Sequence, residues 1–155
     1  MSKKCTFIGN SDITPSEIII SKAKAIVIDL IEKHNVTIFY CGGYSTFNSI
    51  MAHYINSLRN KYKNIKSFYI TPYIDEYTLS NIDKDLYDEI IFPELESTPY
   101  RYRITKRNMW IINNVDYLIA FIQHSFSGAY KTWEYVKSKK HITKYLLQCP
   151  SKKNY

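Results

Sequence analysis

Glycine is scarce in this chain. Only Gly9, Gly42, Gly43 and Gly128 occur among 155 residues, and no segment carries the GxGxxG dinucleotide fingerprint or the glycine–lysine pattern of a P-loop. Cysteine is scarce too. The three copies, Cys5, Cys41 and Cys149, are odd in number and sit in or beside apolar runs, which argues for buried thiols in a reducing cytosol. Cys41 adjoins a candidate pocket, but no histidine is placed by the sequence to activate it as a nucleophile. The four histidines, His34, His53, His124 and His141, are far apart and lack metal-ligand spacing, so neither a zinc nor an iron site is expected. No apolar run is long enough to cross a bilayer, and the opening "MSKKCTFIG" leads straight into a strand instead of a signal peptide. A cytoplasmic protein with no membrane partner is the expectation. Acidic side chains are also few, 14 against 21 Lys and Arg, for a net charge of +7. That balance favours anionic partners. The lysines are scattered like ordinary solvated residues, whereas the arginines gather in "RYRITKR" at 101–107.

Against these absences, apolar residues make up 45% of the chain and aromatics 15%, the composition of a packed globule. The length suits one domain, taken as 1–155. Tyrosine supplies the aromatic excess, 15 against 7 Phe and 2 Trp, which reads as compositional bias rather than as a set of functional side chains.

Short apolar runs alternate with amphipathic ones. Strands are predicted at 4–9, 36–41, 66–73, 87–94, 116–122 and 143–149, and helices at 14–35, 45–63, about 98–114 and 128–140. For the first helix, Thr14 reads as the N-cap, Pro15 as the first helical residue and Glu17 as the partner in a capping box. The second shows Phe47, Ile50, Met51, Tyr54 and Leu58 on one side. Residues between the third and fourth strands read as a polar loop through about residue 85. A strand that crosses over through a helix returns in the same direction, and runs such as "YLIAFI" fit strands covered on both faces. The predicted fold is α/β: a Rossmann-like three-layer sandwich with a mostly parallel sheet of about six strands.

In such a sheet every strand-to-helix turn lies on one rim, where ligands bind. This brings together "GNSD" at 9–12, "CGGYSTFN" at 41–48 and "SGAYKTWE" at 127–134; the last two repeat Gly, a small residue, then Tyr-x-Thr-aromatic. All four glycines fall on that rim. They let backbone approach a ligand closely, and helix N-termini beside them suit an anion. Ser11, Ser45, Thr46 and Thr132 add hydroxyls there, and Tyr44 with Tyr130, or Phe47 with Trp133, could flank a planar base. On the helix after the fourth strand, Arg103 and Arg107 share a face and Arg101 stands near its start. A guanidinium here suits a phosphate or carboxylate; the alternative is a surface pairing with Glu94 or Glu96.

Four segments, in order, resemble the SLOG superfamily (the Smf/DprA and LOG proteins), and in particular its small YpsA-like branch. They are "FIGNSD", "CGGYSTFN", "FPELESTPYRYRITKRN" with its Arg-Asn pair, and "DYLIAFIQHSFSGAYKTWEYVKSK", covering nearly the whole chain. The resemblance implies a domain that binds nucleotides or nucleotide-derived molecules. It carries over Gly9, Ser11, Gly42, Gly43, Phe47, Asn48, Arg107, Asn108, Gly128 and Thr132 as binding residues, to which Asn10, Tyr44, Ala129 and Glu134 of the same segments are added. LOG relatives hydrolyse the base–ribose bond of nucleoside 5′-monophosphates with a Pro-Gly-Gly-x-Gly-Thr-x-x-Glu motif and an upstream Arg, which Arg107 matches. Here Ser127, Ala129, Lys131 and Tyr135 replace the motif's Pro, a Gly, a Gly and the Glu, and Asn48 stands where relatives tend to carry Asp. Glu134 lies one position early, rotated by about 100° on a helix.

The expectation is therefore a binding protein, a sensor or regulator, for a nucleotide-like small molecule bearing a phosphate or an ADP-ribose-like group. The alternatives are a LOG-type nucleoside monophosphate N-glycosidase, with Glu134 or Asp12 as the only weak catalytic candidates, and a nucleic-acid binder. Scattered lysines and the lack of an added domain count against nucleic acid. The resemblance also implies a homodimer paired through helices. No cofactor and no metal is expected.

Overall fold

The computed structural model describes residues 2–125 and 128–148. Six strands, β1 (Lys3–Gly9), β2 (Val36–Cys41), β3 (Lys66–Ile70), β4 (Glu89–Ile91), β5 (Tyr117–Phe121) and β6 (Thr143–Leu147), form one sheet in the order β4-β3-β2-β1-β5-β6. Every pairing is parallel. The helices are α1 (Glu17–Lys33), α2 (Thr46–Leu58), the short α3 (Glu76–Ser80), α4 (Arg103–Asn113) and α5 (Gly128–Lys137). The fold is a Rossmann-like three-layer sandwich.

Period-two alternation along the strands separates the two layers of core. Phe7, Phe39, Ile119 and Phe121 pack against Ile19, Ala23, Val27 and Leu30 of α1 and Phe47, Met51 and Ile55 of α2. Their sequence neighbours Ile8, Tyr40, Leu118 and Ala120 point the other way, toward Ile111 and Ile112 of α4 and Val136 of α5. Right-handed crossovers account for this split. From β1 to β4 the chain steps across the sheet in one direction with α1 and α2 on one face. It then returns past β1 to β5 and β6, so α4 and α5 cover the other. The reversal falls between β1 and β5, whose ends meet with Gly9 paired to Phe121. This is where an open α/β sheet leaves a crevice.

Several boundaries differ from the sequence expectation. α1 is capped by Ser16, whose hydroxyl accepts from the Ile19 amide at 3.3 Å, so Thr14 and Pro15 lie outside the helix and no capping box forms through Glu17. α2 begins after its N-cap Ser45 and stops at Leu58. The expected polar loop holds α3, capped by Asp75, and a 3-10 turn at Lys84–Leu86. A second 3-10 turn, Tyr100–Tyr102, precedes α4. The edge strand β4 is only three residues long. Cys149 lies outside the described residues. Among the described residues, no helix is long and apolar enough to cross a membrane, and no group of three or more His, Cys, Asp or Glu could hold a metal ion.

Candidate functional site

Three turns at the strand ends and one face of α4 line a cavity of about 160 Å³. The turn after β2 is built by two long-range contacts. Gly42 has φ +142°, and a Cβ there would lie 2.6 Å from the Ile70 carbonyl oxygen and 2.8 Å from Arg107 Nη1. Only glycine fits that backbone. At Gly43 a Cβ would fall 2.3 Å from Asn48 Nδ2. Asn48 is held in place because Nδ2 donates to the Phe7 carbonyl at 2.8 Å while Oδ1 accepts from Ser45 Oγ. Ser45 Oγ in turn accepts from the Asn48 amide at 3.0 Å and caps α2. The Asn48 side chain therefore stitches α2 to the end of β1, with both amide atoms already engaged.

Arg107 is the largest fully buried side chain, 1% exposed. Nη1 donates to the carbonyls of Gly42 at 2.7 Å and Ile70 at 2.8 Å, and Nε donates to Asn108 Oδ1 at 2.9 Å. Nη2 has no partner among the described residues. The one fully enclosed, unpaired side-chain nitrogen or oxygen there is Gln123 Nε2, so Arg107 Nη2 is open to the cavity its side chain lines. Asn108 Nδ2 is in the same condition: without a described partner, not enclosed, and on the cavity wall. Burial pushes the Arg107 pKa down, opposed by the nearby hydroxyls of Tyr44, Tyr69 and Tyr73. A guanidinium stays charged through such a shift. Yet no described carboxylate pairs with it: the ion pairs join Asp29 to Lys33 and His34, Asp88 to Arg59, Asp12 to His124 and Glu134 to Lys137. The Tyr44 ring lies 5.6 Å from the guanidinium carbon.

Among the described residues, no Asp or Glu lines the cavity. Of the expected residues, Gly9, Ser11, Gly42, Gly43, Tyr44, Asn48, Arg107, Asn108, Gly128, Ala129 and Thr132 do line it. Asn10, Phe47 and Glu134 do not. Asn10 is fully buried and clamps two turns together, its Oδ1 accepting from the amides of Gln123 and His124 and its Nδ2 donating to the His124 carbonyl. Phe47 points into the core, edge-on to Phe7 at 6.4 Å and tilted on Phe121 at 5.8 Å, so it cannot flank a ligand. Glu134 is exposed and accepts from Lys137 at 2.7 Å and from Tyr130, which holds its carboxyl below the usual range. Tyr130 and Trp133 pack on the α4–α5 core instead of facing the cavity. Arg103 makes no pair with the Glu94 or Glu96 carboxylates; it donates to the carbonyls of Thr98 and Glu96. Cys41 is buried, and burial pushes its thiol up to about 12, so it is no thiolate nucleophile at neutral pH.

Sequence reasoning missed Ile104, Ile111 and Ile112 as cavity wall. Their spacing of three and four around Arg107 and Asn108 was the available signal, since those offsets share a helix face. It also missed Tyr69 and Tyr73 beside Arg107, for which the chain offers no local signal. No protein-family model and no curated protein matches the sequence.

Proposed function

We propose that the protein binds a phosphate-bearing, nucleotide-like ligand at this rim, as a sensor or regulator, and that it belongs to the YpsA-like branch of the SLOG superfamily. One observation carries the reading: a buried guanidinium with an open Nη2 and no carboxylate partner among the described residues. Burying an unpaired charge is costly, and an anion in the cavity would offset that cost. Asn108 Nδ2 and the N-terminal turn of α5 add donors on the same wall. Binding without turnover is favoured over N-glycosidase chemistry, because oxocarbenium-like hydrolysis needs a placed carboxylate and the described cavity wall has none. Asp12 is engaged with His124 at 2.9 Å, and Glu134 with Lys137.

The test is thermal unfolding with AMP, ADP, ADP-ribose, NAD, cyclic nucleotides and inorganic phosphate, for the wild type and Arg107→Gln. A ligand at 100 times its Kd stabilises the folded state by about 2.7 kcal/mol, a midpoint shift of about 5–11 °C for a chain this size. The expected result is a shift for at least one phosphate-bearing compound that vanishes in Arg107→Gln. No shift with any of them sinks the reading.

A further inference from the structure

We infer that the groove between α4 and α5 is the second half of the ligand site and seats the uncharged planar part, a nucleobase, of the anion held at Arg107. This rests on the reading of Arg107 as an anion site. A second cavity of about 130 Å³ lies in that groove, walled by Met109, Lys131 and Tyr135. It shares Ile104, Asn108, Gly128 and Thr132 with the first cavity, so the two spaces meet along one line of residues. The chemistry changes across that line. On one side is the open guanidinium nitrogen; on the other, the residues that line the groove alone are Thr105, Met109, Lys131 and Tyr135, of which the thioether and the tyrosine ring suit the faces of a flat group.

The passage beside Gly128 is open, since a Cβ there would meet no described atom within 4 Å. The Asn108 amide stands at the junction, with Oδ1 held by Arg107 Nε at 2.9 Å and Nδ2 unpartnered among the described residues, placed to read a polar edge. Tyr135 is fixed before any ligand arrives. Its hydroxyl donates to Asn113 Oδ1 at 3.0 Å, and the Lys139 ammonium sits 4.4 Å from its ring centroid. An immobilised wall costs little ordering on binding.

The rim tyrosines are the competing platform, and they are less suited. Tyr73 and Tyr100 already stack on each other at 4.2 Å, so each covers a face of the other.

The test is calorimetric titration with three probes that share one head group: inorganic phosphate, ribose 5-phosphate and AMP. Wild type is expected to bind AMP at least tenfold tighter than ribose 5-phosphate. Tyr135→Ala should remove that preference while leaving the ribose 5-phosphate affinity unchanged. Thr105→Phe, which fills the groove from an exposed position, should do the same without loss of folding. Equal binding of AMP and ribose 5-phosphate to the wild type would overturn the inference and leave the anion site standing. So would a preference lost in Tyr44→Ala and kept in Tyr135→Ala. Failure of all three probes to bind would remove the anion site, and the inference with it.

Discussion

Gly42→Ala puts the construction of the site to its most direct test. The added methyl would sit 2.6 Å from the Ile70 carbonyl oxygen and 2.8 Å from Arg107 Nη1, on a backbone with φ +142°. Holding a non-glycine residue in such a conformation costs about 1–3 kcal/mol. Displacing Arg107 costs more, because Nη1 donates to both the Gly42 and Ile70 carbonyls. A hydrogen bond from a charged group is worth about 1.5–3 kcal/mol, and one of the two is expected to break. The sum is about 2.5–6 kcal/mol, read as a lowered urea midpoint with the slope unchanged. The same substitution in an Arg107→Gln background should cost less, since the guanidinium is gone and only backbone strain and the Ile70 contact remain. The difference between the two costs is the coupling energy. A loss below about 1 kcal/mol in the wild-type background, or equal losses in both, would refute the account of Gly42.

Gly43→Ala should destabilise the fold by about 1–3 kcal/mol by driving Asn48 off Phe7 and Ser45, and the cost should shrink when Asn48→Ala is made first; denaturant titration of the double-mutant cycle checks both. Cys5 and Cys41 are buried, and burial raises both thiols, Cys41 to about 12, so in a Cys149→Ser background the folded protein should resist maleimide at pH 8 and react only as fast as it unfolds. The Asp12 carboxyl is held below its ordinary range chiefly by the hydrogen bond from His124. A depressed carboxylate contributes stability above its unfolded pKa and loses it as pH falls through its folded pKa. The acid limb of a stability–pH profile should therefore be shallower in Asp12→Asn than in wild type, with profiles converging at the lowest pH.

The fold was legible because both of its generating rules are local. Strand and helix periodicities alternate along the chain, and apolar runs such as Tyr117–Phe121 announce a sheet covered on both faces. Chain ends of elements were less legible because neighbouring residues compete for one role. Thr14 and Ser16 both suit an N-cap, and only the extended backbone at Ser16, with its bond from the Ile19 amide, decides between them. α3 was hidden because five residues with none buried leave no apolar stripe to read. Phe47 shows two sequence signals in conflict. Its place in the run Phe47, Met51, Ile55 sets it on the buried face of α2, so the residue pattern already favoured core over ligand. The resemblance, which carried it over as a binding residue, pulled the other way.

The glycines divide along the same line between local and distant causes. A glycine after an apolar run is legible as a turn, but the sequence cannot say what forbids a side chain there. Gly43 is excluded by Asn48, a few residues on, whereas Gly42 is excluded by Ile70 and by a guanidinium 65 residues away. Gly128 differs from both, since nothing within 4 Å would meet its Cβ. Two glycines thus shape the turn for Arg107 and Asn48, while Gly128 borders open space among the described residues. The charge follows the same division. Arg107 uses two of its bonds to hold the strand ends at Gly42 and Ile70 and a third to hold Asn108, with Nη2 left on the cavity side, so one side chain both assembles the rim and marks it. A purely structural arginine would have been better served by a carboxylate, and the chain supplies carboxylates to Arg59 and Lys137 without supplying one here. That selective omission, in a buried place where an unpaired cation is most costly, is the ground on which an external anion is proposed.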